Sequence, residues 1–203
     1  SSIQILIRRL RRYDQNVGGK VIMAMTLLSS QTADNDGSLS FTASGITGFN
    51  STYKLYIFKF INIHPVDDGE DFEFNGSIDA GSNYNVTKTS TYFQSLAGES
   101  SGAEVTYQAT RDHAQQTNFQ ALSMGQGNEG DESCSGTLWL FNPSSTVYVK
   151  HWYSRVHGYK SGNDSTDGFS AGYFNTTSDI DAIQFIMQSG NIQEGTIKLY
   201  GVG

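Results

Sequence analysis

The segment STYKLYIFKFINIHPVDDGEDFEFNG, residues 51–76, contains the clearest β-strand pattern of this chain. Its side chains alternate with a period of two, and residues 53–58 place apolar side chains on both faces. This pattern predicts a central strand of a β-sandwich, because such a strand is covered on both sides. The strand is predicted to stop at residues 64–65, and a second strand begins at Phe72 after the acidic turn VDDGED.

The same period of two continues along the chain, and turns rich in Gly, Asn, Asp and Ser separate the apolar stretches. Further strands are predicted near residues 84–93, 103–109, 119–123, 136–141, 146–153, 169–175, 182–188 and 195–201. About ten short strands at this spacing are typical of an all-β chain with antiparallel pairing. We therefore expect an antiparallel β-sandwich with jelly-roll-like connections.

The bulk composition indicates one domain. A chain of 203 residues can bury one hydrophobic core, and its charged fraction of 16% is low for a disordered chain. The single cysteine, Cys134, excludes an internal disulfide framework. No apolar run reaches the length of a membrane helix. We expect a single β-sandwich domain over residues 25–203 and no membrane insertion.

The first 22 residues differ from the rest of the chain. They carry five basic side chains and one acidic one, whereas the remainder carries 8 basic and 19 acidic side chains. Residues 1–22 are interpreted either as an upstream translation artefact, with the true start at Met23 or Met25, or as a basic arm that docks on a partner. The acidic remainder repels phosphate groups, so we expect no binding of nucleic acid.

Motifs for catalysis are missing from the sequence. It contains no HExxH motif, no GxSxG elbow and no phosphate-binding loop. Cys134 lies in the acidic segment DESCSG, where carboxylates disfavour a thiolate. None of the four histidines, His64, His113, His151 and His157, pairs at the spacing of a helical metal site. We therefore expect no enzymatic activity and no cofactor.

The acidic turn after the first quoted strand holds the candidate metal ligands. They are Asp67, Asp68, Glu70 and Asp71. Carboxylate oxygens suit a hard cation such as calcium. Their spacing does not match a calcium-binding EF loop, and a solvated acidic turn is the preferred interpretation.

Aromatic and polar side chains around the loop SGNDSTDG, residues 161–168, are the candidate binding residues. Aromatic faces beside Asn and Asp can stack on sugar rings, but they can equally seal a subunit interface or fill a core. We favour the interface or core over the sugar. The candidate set is Trp152, Tyr153, Tyr159, Asn163, Asp164, Asp167 and Tyr173.

Three segments of this chain resemble virion structural proteins of marine tailed phages. They are residues 51–85, 131–153 and 181–203. The first contains a strand of the form Tyr-x-x-Tyr-x-Phe-x-Phe that starts at Tyr53, an Asn-Ile-His-Pro turn and a Phe-x-Phe strand. The last ends on GTIKLYGVG. The resemblance begins near Thr26 and leaves out the basic N-terminal segment.

The resemblance implies a non-enzymatic component of the virion, either a head decoration or part of a tail or fibre. It carries no catalytic residues over. We expect a homotrimer that contacts other virion proteins and serves assembly or host attachment. The alternative is a carbohydrate-binding adhesin module for a host-surface glycan, and a hydrolase of surface glycans ranks third.

Overall fold

A computed structural model describes residues 24–46, 49, 51–100 and 102–203. This part of the chain forms 13 strands, all paired antiparallel, and contains no helix. The all-β, antiparallel prediction is therefore confirmed, with more strands than expected. The basic segment 1–22, and with it the choice between artefact and docking arm, lies outside the described residues.

The strands follow the chain in this order. They are β1 Met25–Thr32, β2 Leu39–Thr42, β3 Leu55–Pro65, β4 Glu70–Ser77, β5 Lys88–Gly98, β6 Ala103–Tyr107, β7 His113–Gln116, β8 Gln120–Gln126, β9 Cys134–Phe141, β10 Lys150–Lys160, β11 Asp164–Phe174, β12 Ala182–Met187 and β13 Ile192–Val202.

Hydrogen bonding arranges these strands in two rows. The long row has the order β1-β13-β3-β9-β10-β11-β5, and both β6 and β7 pair with β5. The short row has the order β8-β4-β12-β2. The backbone pair Lys160–Gln126 between β10 and β8 joins the two rows into one network.

The core lies where the two rows pack together, and aromatic rings dominate it. The ring of Phe185 on β12 lies 5.2 Å from Phe58 and 5.3 Å from Phe60, both on β3. It also lies 6.0 Å from Phe41 and 5.9 Å from Phe72. All five side chains are 2% exposed or less. Each buried phenylalanine stabilises the fold by roughly 1.5–3 kcal/mol, so this cluster holds the rows together.

The strand end at Pro65 and the strand through Phe72 and Phe74 are as predicted. The predicted cover on both sides of β3 is wrong, because Ile61 on its second face is 42% exposed. The prediction of a loop over residues 161–168 is correct only in part, because the observed turn is shorter. Only residues 161–163 form the turn, and β11 begins at Asp164, paired with Lys160. Gly162 and Asn163 have φ angles of 93° and 64°, a conformation that these two residue types tolerate. The polar side chains beyond the turn alternate between the two faces of a strand.

Candidate functional site

The long row buries one face against the core and presents the other to solvent. We call the second surface the outer face. Directly opposed residues of antiparallel strands share a face, and the register connects five of them from β1 to β10. They form what we call the apolar band: Leu27, Tyr200, Ile57, Trp139 and Tyr153.

Stacked rings make the apolar band continuous. The rings of Trp139 and Tyr153 stack with their centroids 4.6 Å apart, and Phe141 lies 5.6 Å from Tyr153. Ile57 is only 9% exposed although it points away from the core. Its neighbours in the band therefore cover it, and the band presents a closed apolar surface.

A second line of opposed residues crosses the outer face next to the apolar band. We call it the basic band, and it runs through Lys198, Lys59, Thr137, Arg155, Phe169, Phe93 and Tyr107. The guanidinium of Arg155 lies 5.1 Å from the Phe169 ring and 2.6 Å from the Asp167 carboxylate. The Lys59 ammonium donates to Thr137 Oγ1 at 2.9 Å. The outer face therefore combines apolar rings with three cations and one anion.

Large exposed apolar side chains concentrate on this face. Of the 11 such side chains among the described residues, seven lie on it: Met25, Leu27, Ile61, Phe93, Val105, Tyr107 and Tyr153. Leu27 is 52% exposed and Tyr153 is 44% exposed. Isolated exposed apolar residues are ordinary, but a contiguous patch marks a surface that another molecule covers.

Trp152, which the sequence analysis placed among the binding residues, lies in the core. It is 2% exposed, and its ring lies 4.9 Å from Phe74 and 6.5 Å from Phe174. Because successive side chains of a strand point to opposite faces, the outward position of Tyr153 turns Trp152 inward. The side chain of Trp152 therefore belongs to the core, which is one of the two alternatives favoured over a sugar contact.

The other predicted binding residues are spread along β10, β11 and the turn between them. Tyr153 lies in the apolar band, and Asp167 pairs with Arg155. Tyr173 lies near the far end of β11, where its ring is 6.3 Å from His151. Nine residues separate it from Asp164, which is about 30 Å along a strand. The structure therefore does not bring the predicted residues into one site.

Two of the predicted residues do meet, at the turn between β10 and β11. The Tyr159 hydroxyl lies 3.0 Å from Asn163 Oδ1 and 3.3 Å from Glu99 Oε1. His157 Nε2 lies 3.0 Å from Ser165 Oγ. These five residues line a cavity of about 340 Å³, which we call the turn cavity.

The candidate metal ligands do not converge. Asp67 and Asp68 are exposed in the turn, whereas Asp71 is buried, pairs with Arg111 and accepts the Gly125 N–H at 2.9 Å. Within the part of the chain that the structure describes, no group of three or more His, Cys, Asp or Glu side chains could hold a metal ion. Asp71 therefore has a structural role.

Charged and polar side chains of β4 form a buried cluster that the sequence analysis missed. We call it the buried polar cluster; it comprises Asp71, Glu73 and Asn75 of β4 with Lys88 and Arg111. Burial, reinforced by Asp71, raises the pKa of Glu73 to about 7. Burial lowers the pKa of Lys88 to about 7, while Glu73 acts in the opposite direction.

A polar cavity of about 200 Å³ opens beside this cluster. Glu73, Arg111, His113 and Asn118 are among the residues that line it. Glu73 lies between Phe72 and Phe74 on β4, and it faces away from the core, as this alternation of apolar and polar residues predicts. The residues that cover it come from the segment after β6, so only the tertiary structure shows its burial.

No protein-family model, no curated protein and no solved structure matches this chain. The described residues include no helix long and apolar enough to span a membrane.

Proposed function

We propose that this chain is a non-enzymatic structural protein of a phage virion, a head decoration or a tail or fibre component, that assembles through its outer face. The outer face carries the proposal, because it concentrates seven large exposed apolar side chains on one surface. The resemblance of three segments to virion proteins agrees with an assembly role.

The proposed architecture is a β-sandwich with jelly-roll connections. Eight strands remain when β5–β7 and β10–β11 are set aside as insertions. They pair in the orders β1-β13-β3-β9 and β2-β12-β4-β8. Numbered along the chain, these are the orders 1-8-3-6 and 2-7-4-5, in which every pair except 4-5 joins strands that are not consecutive. Such long connections between two packed rows are those of a jelly roll. The insertions then widen the first sheet and enlarge the outer face.

The outer face is large enough for a stable interface. Seven strands at a spacing of roughly 4.8 Å, each about ten residues long, give a face of about 29 by 33 Å. A standard interface buries about 800 Å² on each partner. One neighbour that covers most of this face therefore satisfies the requirement.

Charge favours a second copy of the same chain in a ring rather than a twofold dimer. In a twofold dimer this face would meet itself, so the three cations Lys59, Lys198 and Arg155 would lie opposite a surface whose one anion is Asp167. In a ring, each outer face meets a different surface of its neighbour, and the chain outside residues 1–22 carries 19 acidic side chains against 8 basic ones. We infer a closed homotrimer in which the basic band meets acidic surface.

Light scattering after size exclusion tests this assembly. Wild-type protein is expected as a trimer, and the double variant Leu27→Lys with Tyr153→Lys as a monomer, because two charges in the apolar band cannot be desolvated. Ile78→Lys is the matched control, since Ile78 is 47% exposed but lies beyond the end of β4 in the short row. A double variant that remains trimeric would remove the outer face from the interface.

The turn cavity favours a second candidate, binding of a host-surface glycan. It offers one aromatic ring, Tyr159, with the hydrogen-bonding groups of Glu99, His157 and Asn163. Glycan-array binding that Tyr159→Ala abolishes, with the oligomeric state unchanged, would support this function. A glycan array without signal at high protein concentration would reject glycan binding, and assembly would remain as the one proposed function.

A further inference from the structure

Two lysines are fully buried among the described residues, and their surroundings differ. Lys150 Nζ donates to the backbone oxygens of Tyr148 and Thr176, each at 3.0 Å. Lys88, at the start of β5, donates to the backbone oxygen of Asn118 and lies beside Glu73. A buried lysine is costly, so the surroundings of Lys88 call for an explanation.

The amide side chain of Asn75 meets Lys88 at the same carbonyl. Asn75 is fully buried, and its Nδ2 lies 3.5 Å from the Asn118 oxygen to which Lys88 Nζ donates. The two nitrogens are therefore neighbours around one acceptor. Asn75 Oδ1 accepts the Gly76 N–H at 2.9 Å, which polarises the carbonyl group towards attack at Cγ.

Glu73 completes the arrangement. It precedes Asn75 by two residues on β4, so both side chains point to the same face of the strand. Its carboxylate is half-buried and lines the polar cavity together with Asn118, whose backbone oxygen Lys88 and Asn75 share. Protons can therefore pass between Glu73 and the two nitrogens across this cavity.

We propose that Lys88 and Asn75 form an intramolecular isopeptide bond, with Glu73 as the acid–base group. The lone pair of Lys88 Nζ attacks Asn75 Cγ and forms the new C–N bond. Glu73 accepts a proton from Nζ and delivers it to Nδ2, the bond between Cγ and Nδ2 breaks, and ammonia leaves. One amine and one amide give one amide and one ammonia, so the step needs no water, oxidant or reductant.

The protonation states and the cavity suit this reaction. Burial lowers the pKa of Lys88 to about 7, which populates the neutral nucleophilic amine near neutral pH. Burial also raises the pKa of Glu73 to about 7, which suits a group that both takes and gives a proton. The oxygens of Tyr84 and Thr117, each 2.8 Å from Nδ2, hold the departing nitrogen. Ammonia then leaves through the cavity that Glu73 and Asn118 line.

Intact mass in denaturant tests the bond. The wild-type chain is expected to be lighter than its sequence by one ammonia, and a digest to yield one branched peptide that joins Lys88 to Asn75. Lys88→Arg and Glu73→Gln are expected to have the full sequence mass. Lys150→Arg, which changes the other buried lysine, should keep the loss. Circular dichroism checks that each variant is folded.

A succinimide at Asn75-Gly76 would also lose one ammonia, so the variants must separate the two reactions. The succinimide does not need Lys88, and mild base hydrolyses it to an aspartyl product. A mass loss that persists in folded Lys88→Arg, or a wild-type mass equal to that of the sequence, would overturn the isopeptide bond. A loss that persists in folded Glu73→Gln would overturn the role of Glu73.

Discussion

The outer face and the buried polar cluster invert the usual distribution of side chains. The outer face exposes Leu27, Phe93 and Tyr153, whereas the cluster buries the charged residues Asp71 and Lys88. The buried cluster is already covered, because an insertion of the chain folds over β4. Among the described residues, no segment covers the outer face in this way. Buried charges occur where a segment of the chain folds over them, and exposed apolar side chains are expected where another molecule covers them.

The two regions also differ in what their ion pairs contribute. The side chain of Asp71 is 3% exposed and that of its partner Arg111 is 29% exposed, whereas those of Asp167 and Arg155 are 19% and 64% exposed. Breaking a buried pair leaves a charge without solvent or partner, and breaking an exposed pair returns both charges to water. The same chemical contact should therefore have very different effects on stability.

The largest expected loss of stability is that of Trp152→Ala, and it contrasts with the small loss expected for its neighbour on β10, Tyr153→Ala. Trp152→Ala should lower the free energy of unfolding by about 3–5 kcal/mol, because it leaves a cavity between Phe74 and Phe174. Tyr153→Ala should lower it by about 1 kcal/mol in the monomer, since only contacts at the surface with Trp139 and Phe141 are lost. Urea unfolding of both variants measures the difference. Equal effects would contradict the assignment of their two faces.

Asp71→Ala should follow with a loss of about 3 kcal/mol in the free energy of unfolding. The change leaves Arg111 without its partner and removes the acceptor of the Gly125 N–H. Urea unfolding at neutral pH measures it. A loss below about 1 kcal/mol would show that water already solvates this pair.

Glu73→Gln should change how stability depends on pH. The pKa of Glu73 is about 7 in the folded chain, whereas an unperturbed glutamate has a pKa of 4.5, so the folded state keeps a proton that the unfolded state loses between these values. Its contribution is fully present below about pH 4.5 and is lost as the pH rises through 7.

The variant has no such group, so the difference in unfolding free energy between variant and wild type should move in favour of the variant by up to about 2–3 kcal/mol from pH 4.5 to pH 8. Urea unfolding at several pH values measures this slope. Comparing the two chains in a Lys88→Arg background removes from the difference both the cross-link and the titration of a freed Lys88. A flat difference would show that Glu73 titrates as an exposed carboxyl group.

The smallest expected effect belongs to the ion pair of the outer face. Asp167→Ala should change the free energy of unfolding by less than about 1 kcal/mol, because solvent screens its pair with Arg155. Urea unfolding of the monomeric double variant as background isolates the effect from assembly. A loss as large as that of Asp71→Ala would remove the contrast between the two regions.

The sequence predicted those parts of the fold that depend on local pattern. The alternation of residues 53–58 and the stop at Pro65 define β3, and the all-β class follows from the same period. The polar segment 161–168 looked like a loop because polar composition resembles a turn, but most of it continues as β11. A strand with polar residues on one face and small ones on the other carries no strong apolar signal.

The candidate site was predicted only in part, for a related reason. Alternation shows that Trp152 and Tyr153 point in opposite directions, but not which of them points to the core. The burial of Glu73 and Lys88 depends on the segment that covers β4, which lies 30 or more residues from Glu73 along the chain. Local patterns do not contain such long-range contacts.

Sedimentation equilibrium of the full chain over a wide concentration range shows whether a second copy covers the outer face. The proposed trimer predicts the mass of three chains for the wild type and the mass of one chain for the double variant Leu27→Lys with Tyr153→Lys. A wild-type chain that remains a monomer at the highest concentration would contradict it.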